Sequence, residues 1–177
     1  LTMLINSLGK YRERFESHFT ESLNTDRSVR AALFFAALVH DVEKPATKTV
    51  DESGRIRFFD HDVQGAKVAS MRGHKFNLSN DEIGRIKKII FNHMRFHFFT
   101  MQLEDKKREP TRKSIYRFFR DAGDSGIDLV LLGLADLRGT RDHTLTQENW
   151  KAALDVSGIL LENYWEKREE TVAPTRL

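Results

Sequence analysis

Two ionisable side chains, His40 and Asp41, stand side by side at the end of an apolar run, in the stretch AALVHDVEKPATKT (36–49). The hydrophobic pattern breaks in the same way at His93, which follows IKKIIFN, and at Asp136, which lies inside LVLLGLADL. An unpaired carboxylate buried among leucines costs several kcal/mol, so Asp136 needs a partner. Singly, each of these residues has an ordinary explanation as a helix cap, a member of an ion pair or a hydrogen-bonded core histidine.

Together, the two imidazoles and two carboxylates form the ligand set of a divalent metal site. Imidazole nitrogen and carboxylate oxygen suit Mn, Fe, Co, Ni, Zn or Mg, and the mixed set does not choose among them. His61, in FFDHDVQGA, is a candidate fifth ligand. Neighbouring helical residues diverge by about 100°, so His40 and Asp41 can share an ion only where a helix ends. The residues also leave open a hydrogen-bond network that holds no metal.

The elements that position these residues are predicted to be helices, because apolar residues recur at helical spacing through most of the chain. The predicted helices cover about 2–22, 27–41, 61–73, 80–97, 111–121, 125–139 and 147–168. The stretch TKTVDESGRIRFF alternates around Glu-Ser-Gly, which predicts a short hairpin or ordered loop at about 46–60. The predicted fold class is therefore all-α.

The length and composition of the chain exclude several classes of protein. A chain of 177 residues fits one domain with its own core. The absence of Cys excludes disulfides and thiolate metal sites. No apolar run is long enough to span a bilayer and no signal peptide is recognisable, so we expect a cytoplasmic protein with no membrane partner. A net charge of +3 permits an anionic partner without requiring one. The oligomeric state is not predicted.

The pattern formed by His40, Asp41, His61, His93 and Asp136 resembles the HD superfamily of metal-dependent phosphohydrolases. The surrounding stretches resemble the HD domain that follows the nucleotidyltransferase part of bacterial tRNA nucleotidyltransferases and poly(A) polymerases. Those stretches are ALVHDVEKPATKT, FFDHDVQGAKVA, NHMRFHF, TRKSIYRFFRDAGDSGIDLVLLGLADLRGT and YWEKREETVAPTRL. The likeness runs from about residue 27 to the end of the chain.

The resemblance implies a single all-helical HD bundle over residues 1–177. It implies a divalent metal held by His40, Asp41 and Asp136 with help from His61 and His93. It also implies hydrolysis of phosphate esters in nucleotides or RNA 3′ ends, with tRNA as a candidate partner. No nucleotidyltransferase part accompanies these residues and the first residue is not Met, so we expect a fragment of a longer protein of this type.

Two departures from the family pattern are expected to affect the metal site. Glu43 stands where the family usually has Gly, and a left-handed backbone there would cost Glu about 1 kcal/mol. The first metal histidine of the superfamily lies on the helix before the HD pair. His18 is the upstream candidate in this chain, but we expect the true position to lie just before Leu1.

The predicted catalytic residues are His40, Asp41, Lys44 and Asp136. Lys44 follows the HD pair closely and could neutralise charge that develops on a phosphate, although a solvated surface lysine explains it equally well. Arg138 and Arg141 follow Asp136 and are predicted to contact a second substrate phosphate, which is the less favoured interpretation of these arginines.

The alternative function is a non-catalytic body domain that positions RNA or packs against a nucleotidyltransferase domain. The basic and aromatic stretch KKREPTRKSIYRFFR supports it, because cations bind phosphates and exposed rings stack bases. Against it, Ile115, Phe118 and Phe119 have helical spacing and are predicted to face the core. The arginines would then form a solvated face.

Overall fold

The structure of the chain, a computed structural model, describes residues 1–24 and 26–172, so the last five residues of the YWEKREETVAPTRL stretch lie outside it. In chain order, the helices are α1 (Thr2–Ser7), α2 (Arg12–Thr20), α3 (Val29–Val39), α4 (His61–Lys75), α5 (Asn80–Asn92), α6 (Met94–Lys106), α7 (Arg112–Ala122), α8 (Ser125–Arg141) and α9 (Gln147–Trp165). The strands are β1 (Lys48–Val50) and β2 (Ile56–Phe58). Short 3₁₀ turns cover Gly9–Tyr11 and Asp142–Thr144, and a π-helical turn covers Arg168–Val172.

The predicted all-α class is confirmed, since β1 and β2 form the single small sheet among the described residues. The chain divides into two compact units. The central unit runs from His18 to His93, and the terminal unit joins residues up to Ser17 with those from Met94 onward. No helix in the described part of the chain is both long and apolar enough to cross a membrane.

The predicted hairpin is present in the central unit. β1 pairs antiparallel with β2, with Val50 opposite Ile56. The Asp51 carboxylate accepts hydrogen bonds from the backbone amides of Ser53 at 3.1 Å and Arg55 at 3.0 Å. Gly54 has a φ of +80°, a left-handed conformation that Gly adopts without strain. The hairpin turn is therefore fixed by local residues alone.

Helices α4 and α5 pack closely because small residues lie between them. A Cβ added at Gly65 would lie 3.3 Å from Cγ2 of Ile90 and 3.5 Å from the carbonyl oxygen of His40. A Cβ at Gly73 would lie 2.8 Å from Cγ1 of Ile83, which is shorter than a van der Waals contact. The approach of Gly65 to the His40 carbonyl also places α4 against the backbone that carries His40 and Asp41.

The terminal unit is built around a buried aromatic and aliphatic core. Phe96 of α6 is fully buried against α8, where a Cβ at Gly133 would lie 2.1 Å from its ring. Tyr11 stacks on Trp165 of α9 with ring centroids 5.3 Å apart. Ile115, Phe118 and Phe119 of α7 are buried, so the predicted core-facing side of this helix is confirmed.

Two predicted helices are wrong as continuous elements. The helix predicted over 2–22 is interrupted after Ser7, because Gly9 adopts a φ of +54° before α2 begins at Arg12. The helix predicted over 80–97 is divided at His93. The Ile90 carbonyl oxygen, which residue 94 would use in an uninterrupted helix, is 2.6 Å from Nδ1 of His93. The side chain of His93 thus competes for the helical hydrogen bond.

Candidate metal centre

Three histidines of the central unit lie at helix ends and bind the backbone in the same way. His40 follows α3, His61 opens α4 and His93 follows α5. Nδ1 of each ring is at hydrogen-bond distance from the carbonyl oxygen three residues earlier. The distances are 2.8 Å to Ala37, 2.7 Å to Phe58 and 2.6 Å to Ile90, in that order.

These backbone contacts decide which ring nitrogen carries the proton. A carbonyl oxygen can only accept a hydrogen bond, so Nδ1 must be the protonated nitrogen in each ring. In a neutral imidazole, Nε2 then presents a lone pair, which is the form that binds metal. Nε2 of His61 and Nε2 of His93 lie 3.1 Å apart. Two neutral rings in this tautomer cannot form a hydrogen bond with each other through those atoms.

The carboxylate of Asp41 faces the same nitrogens. Its Oδ1 lies 3.5 Å from Nε2 of His61 and 3.6 Å from Nε2 of His93. Its Oδ2 lies 3.3 Å from Nε2 of His40 and accepts a hydrogen bond from Nζ of Lys44 at 2.6 Å. Among the described residues, no donor forms a hydrogen bond to the buried Oδ1.

The ionisation of Asp41 suits a metal ligand. Burial alone would raise the pKa of its carboxyl group, but the imidazoles of His40 and His93, in their protonated form, and the Lys44 ammonium group outweigh burial. Together they hold the pKa of Asp41 well below its usual range. The group is therefore a carboxylate at neutral pH, the form that coordinates a cation.

The residues present fit a divalent ion. Two nitrogens bound about 2.1 Å from one ion are about 3.0 to 3.4 Å apart in octahedral and tetrahedral arrangements. The measured separation of 3.1 Å between the two Nε2 atoms falls in that range. Ligand atoms of Asp41, His61 and His93 all lie within 4.8 Å of one another. A shared cation would also relieve the repulsion between lone pairs that otherwise face each other.

The backbone just before His61 has an unusual conformation. Asp60 has a φ of +59°, in the left-handed region that Asp tolerates better than most residues. Its position between β2 and α4 turns the chain from the hairpin into the helix. The imidazole of His61 is 5% exposed, and it reaches back to the last residue of β2 through Nδ1.

The turn after the HD pair differs from expectation at Glu43. The residues with positive φ in the described part of the chain, glycines aside, are Asp60, Asn77, Lys107 and Asp142. Glu43 is not among them, so the predicted left-handed strain at this position is wrong. The turn is instead closed by bonds of helical type, from Lys44 N to Asp41 O at 3.0 Å and from Thr47 N to Glu43 O at 3.0 Å. Such a turn accepts Glu as readily as Gly.

The predicted phosphate-binding cations already have protein partners. Lys44 donates to Asp41 and lies 5.8 Å from the centre of the Phe58 ring. In the terminal unit, Arg138 lies over the ring of Trp150 at 5.4 Å. Nη1 of Arg141 lies 3.1 and 3.2 Å from the carboxylate oxygens of Glu104. Their roles toward a phosphate stay predictions.

Asp136 has a partner that sequence reasoning missed. It lies on α8 in the terminal unit and accepts a hydrogen bond from Nε2 of His97 at 2.8 Å. The signal was available, because His97 follows His93 by one helical turn in the stretch NHMRFHF. The predicted role of Asp136 as a metal ligand stays a prediction.

His18 makes structural contacts within the central unit. Nη2 of Arg85 donates to its Nε2 at 3.1 Å, and its Nδ1 lies 3.4 Å from the Glu21 carboxylate. The imidazole is 5% exposed. These contacts account for the burial of His18, and the position of the first metal histidine stays a prediction.

The chain is similar in part to a known enzyme. It is 34% identical over 117 residues to the CC-adding tRNA nucleotidyltransferase of Thermus thermophilus. The similarity covers 66% of this chain but 24% of the relative, so the chain spans about a quarter of the length of that curated protein. No family model matches the chain. The comparison agrees with the resemblance to a tRNA nucleotidyltransferase, whereas membership of the HD superfamily stays a prediction.

Proposed function

We propose that this chain is a divalent-metal-dependent phosphohydrolase domain that acts on phosphate esters of nucleotides or RNA ends. The observation that carries the proposal is the pair of Nε2 atoms of His61 and His93, 3.1 Å apart and facing the Asp41 carboxylate. Both rings bind the backbone through Nδ1, which leaves the Nε2 lone pairs for a Lewis acid or a hydrogen-bond donor. A divalent cation meets that requirement.

A divalent ion bound here would lower the pKa of a coordinated water and polarise a phosphoryl oxygen. The side chains of this chain prepare the centre for that ion. The carbonyl contacts hold the imidazoles in one tautomer and orientation, which reduces the reorganisation needed on binding. Asp41 is held ionised, and the ammonium group of Lys44 balances part of its charge. Lys44 is one-third exposed, so it can also attract an anionic substrate.

The similarity to a known enzyme supports a proposal about the process in which this hydrolysis takes place. The relative is named as a tRNA nucleotidyltransferase. We therefore propose that the domain belongs to a tRNA-processing protein and that its RNA partner includes tRNA. The activity, the substrates and the partners of the whole protein are part of this proposal, because the chain spans about a quarter of the relative.

The test begins with metal content. We expect the purified chain, incubated with Mn²⁺ or Ni²⁺ and then desalted, to retain close to one ion per chain by mass spectrometry. Asp41→Ala and His61→Ala should lose it, because each removes a ligand from the centre. His74→Ala is the matched control, since His74 lies on the same helix as His61 but is exposed.

The loaded protein is then assayed with 2′,3′-cyclic nucleotides, nucleoside monophosphates and RNA oligonucleotides that end in a phosphate. Hydrolysis that disappears in Asp41→Ala and survives in His74→Ala would support the proposal. Metal retention without hydrolysis of any of these esters would reject the catalytic role. In that case the non-catalytic body domain predicted as the alternative would become the better explanation.

A further inference from the structure

The terminal unit contains a cavity of 510 Å³ between α6 and α7 that the proposed chemistry does not use. Its lining residues are mostly cationic, hydroxylic or aromatic. They are Arg95, Phe98, Phe99, Thr111, Lys113, Ser114, Arg117, Phe118, Arg120 and Asp121. Every one of them belongs to the terminal unit, whereas the candidate ligands Asp41, His61 and His93 belong to the central unit.

The cavity has a surplus of positive charge. Its one carboxylate, Asp121, accepts hydrogen bonds from Arg95 at 2.6 Å and from Arg120 at 2.7 Å. Lys113 and Arg117 are exposed, and their side chains have no ion-pair or hydrogen-bond partner in the described part of the chain. They are four residues apart on α7 and thus lie on one face of the helix. Two cations therefore remain available for an anionic ligand.

An exposed aromatic ring lines the same cavity. Phe98 of α6 is 54% exposed, whereas Phe118 is fully buried. Phe118 and Phe119 of the basic and aromatic stretch are in the core, as their helical spacing predicted, and are unavailable to a base. A solvent-facing phenyl ring beside free cations combines a stacking surface with phosphate contacts.

We propose that this cavity, named here the α6–α7 pocket, binds single-stranded RNA. Lys113 and Arg117 contact backbone phosphates, and a base stacks on Phe98. A small inorganic anion would use the cations but not the ring. An acidic peptide would supply carboxylates but no flat base to cover Phe98. The similarity to a tRNA enzyme favours RNA among polyanions.

Fluorescence anisotropy with a short fluorescein-labelled oligoadenylate in EDTA tests the pocket directly. We expect Lys113→Glu/Arg117→Glu to weaken binding at least tenfold at low salt. The slope of log affinity against log salt should also fall by about 1.4, because each contact with a single-strand phosphate contributes about 0.7. Lys106→Glu/Lys151→Glu is the matched control. It changes the net charge equally at exposed sites of the same unit outside the pocket, and its affinity should stay within about threefold of the parent.

A second pair of variants tests the base contact. Phe98→Ala should weaken binding about fivefold or more, because stacking of one base on an aromatic ring contributes that much affinity. Met101→Ala is the control, since Met101 is 45% exposed on the same helix and does not line the pocket. Thermal unfolding of all variants verifies that they remain folded.

Three results would contradict the proposal that the α6–α7 pocket binds single-stranded RNA. The first is no measurable binding of oligoadenylate by the parent chain. The second is an equal loss in the two double variants, which would indicate non-specific attraction to net charge. The third is an unchanged affinity in Phe98→Ala, which would indicate an anion site without a base. Because EDTA removes divalent metal, the binding assay does not depend on the proposed metal centre, so failure of the hydrolase proposal would not affect this test.

Discussion

Two carboxylates of the central unit, Glu82 and Asp41, differ in what surrounds them. Glu82 is almost fully buried and accepts hydrogen bonds from the Arg27 guanidinium, from Nδ2 of Asn24 at 2.6 Å and from the backbone amide of Ser79 at 2.7 Å. Asp41 accepts one bond from Lys44, and its other oxygen faces two imidazole nitrogens that carry lone pairs. The protein supplies hydrogen-bond donors to both oxygens of Glu82, but among the described residues it does not do so for Asp41.

The comparison shows that a lowered pKa does not identify a binding site. The pKa of Glu82 is lowered to about 2, mainly by its hydrogen bond with Arg27. The pKa of Asp41 is also lowered, although burial opposes the shift. The two carboxylates differ in the number of hydrogen-bond donors that contact them. A carboxylate whose oxygens all accept hydrogen bonds stabilises the fold. A carboxylate that faces other hydrogen-bond acceptors needs a cation to compensate its charge.

The largest expected difference is in metal-linked stability. At an ion concentration of about 1,000 times the dissociation constant, binding to the folded state should add about 4 kcal/mol to the free energy of unfolding. Urea unfolding with and without Mn²⁺ should give this gain for the parent and for Glu82→Gln. Asp41→Asn should show no gain. An equal gain in Asp41→Asn would contradict the assignment of Asp41 as a ligand.

The second difference is in intrinsic stability, measured in EDTA. Glu82→Gln should lower the free energy of unfolding by about 2 kcal/mol, because the buried carboxylate loses its charge-assisted hydrogen bonds with the Arg27 guanidinium, which is itself 39% exposed. Asp41→Asn should cost less than about 1 kcal/mol, because its ion pair with Lys44 is partly exposed. If the two variants were equally unstable, the distinction between a stabilising and a binding carboxylate would be wrong.

The third prediction concerns how folding stability changes at acidic pH. The folded-state pKa of Glu82 is about 2, below that of an unfolded glutamate at about 4.3. Its stabilisation is therefore complete above the unfolded value and is lost as the pH falls toward 2. The stability difference between the parent and Glu82→Gln should narrow between about pH 4.5 and pH 2 in EDTA. Chemical denaturation at a series of pH values measures it, and a difference that stays constant over this range would refute the linkage.

The smallest expected effect is at the capping box. The side chain of Ser79 accepts a hydrogen bond from the Glu82 amide, and the Glu82 side chain accepts one from the Ser79 amide. Ser79→Ala removes the first of these bonds and should cost about 1 kcal/mol of unfolding free energy. It should leave metal content unchanged, because the rest of the Glu82 network remains. Loss of metal in Ser79→Ala would mean that the two carboxylates are not independent.

The sequence was sufficient where the signal was local. The end of an apolar helix at His40 and Asp41 follows from the hydrophobic pattern, and the hairpin follows from alternation around Gly54. The capped start of α5 lies within one residue of its predicted position, because Ser79 and Glu82 form a local motif.

The remainder depends on contacts that a linear pattern does not contain. The break at His93 arises from a side chain that takes a backbone carbonyl, and apolar spacing cannot show it. The pair of Arg27 and Glu82 joins residues 55 positions apart. Which nitrogen of each imidazole faces Asp41 is decided by the geometry at three helix ends. The sequence could therefore suggest candidate ligands but not their protonation.

The close approach at Gly65 means that a substitution at a residue that is not itself a candidate ligand can still affect the proposed metal centre. A methyl group there would push against Ile90, whose carbonyl oxygen orients His93, and would meet the carbonyl of His40. The candidate ligands themselves would be unaltered in such a variant, yet Ile90 would have to shift by a few tenths of an ångström, close to the carbonyl oxygen that orients His93. In a library screened for loss of metal, we expect Gly65 to be found alongside the histidines, with side chains larger than that of Ala giving the greater loss.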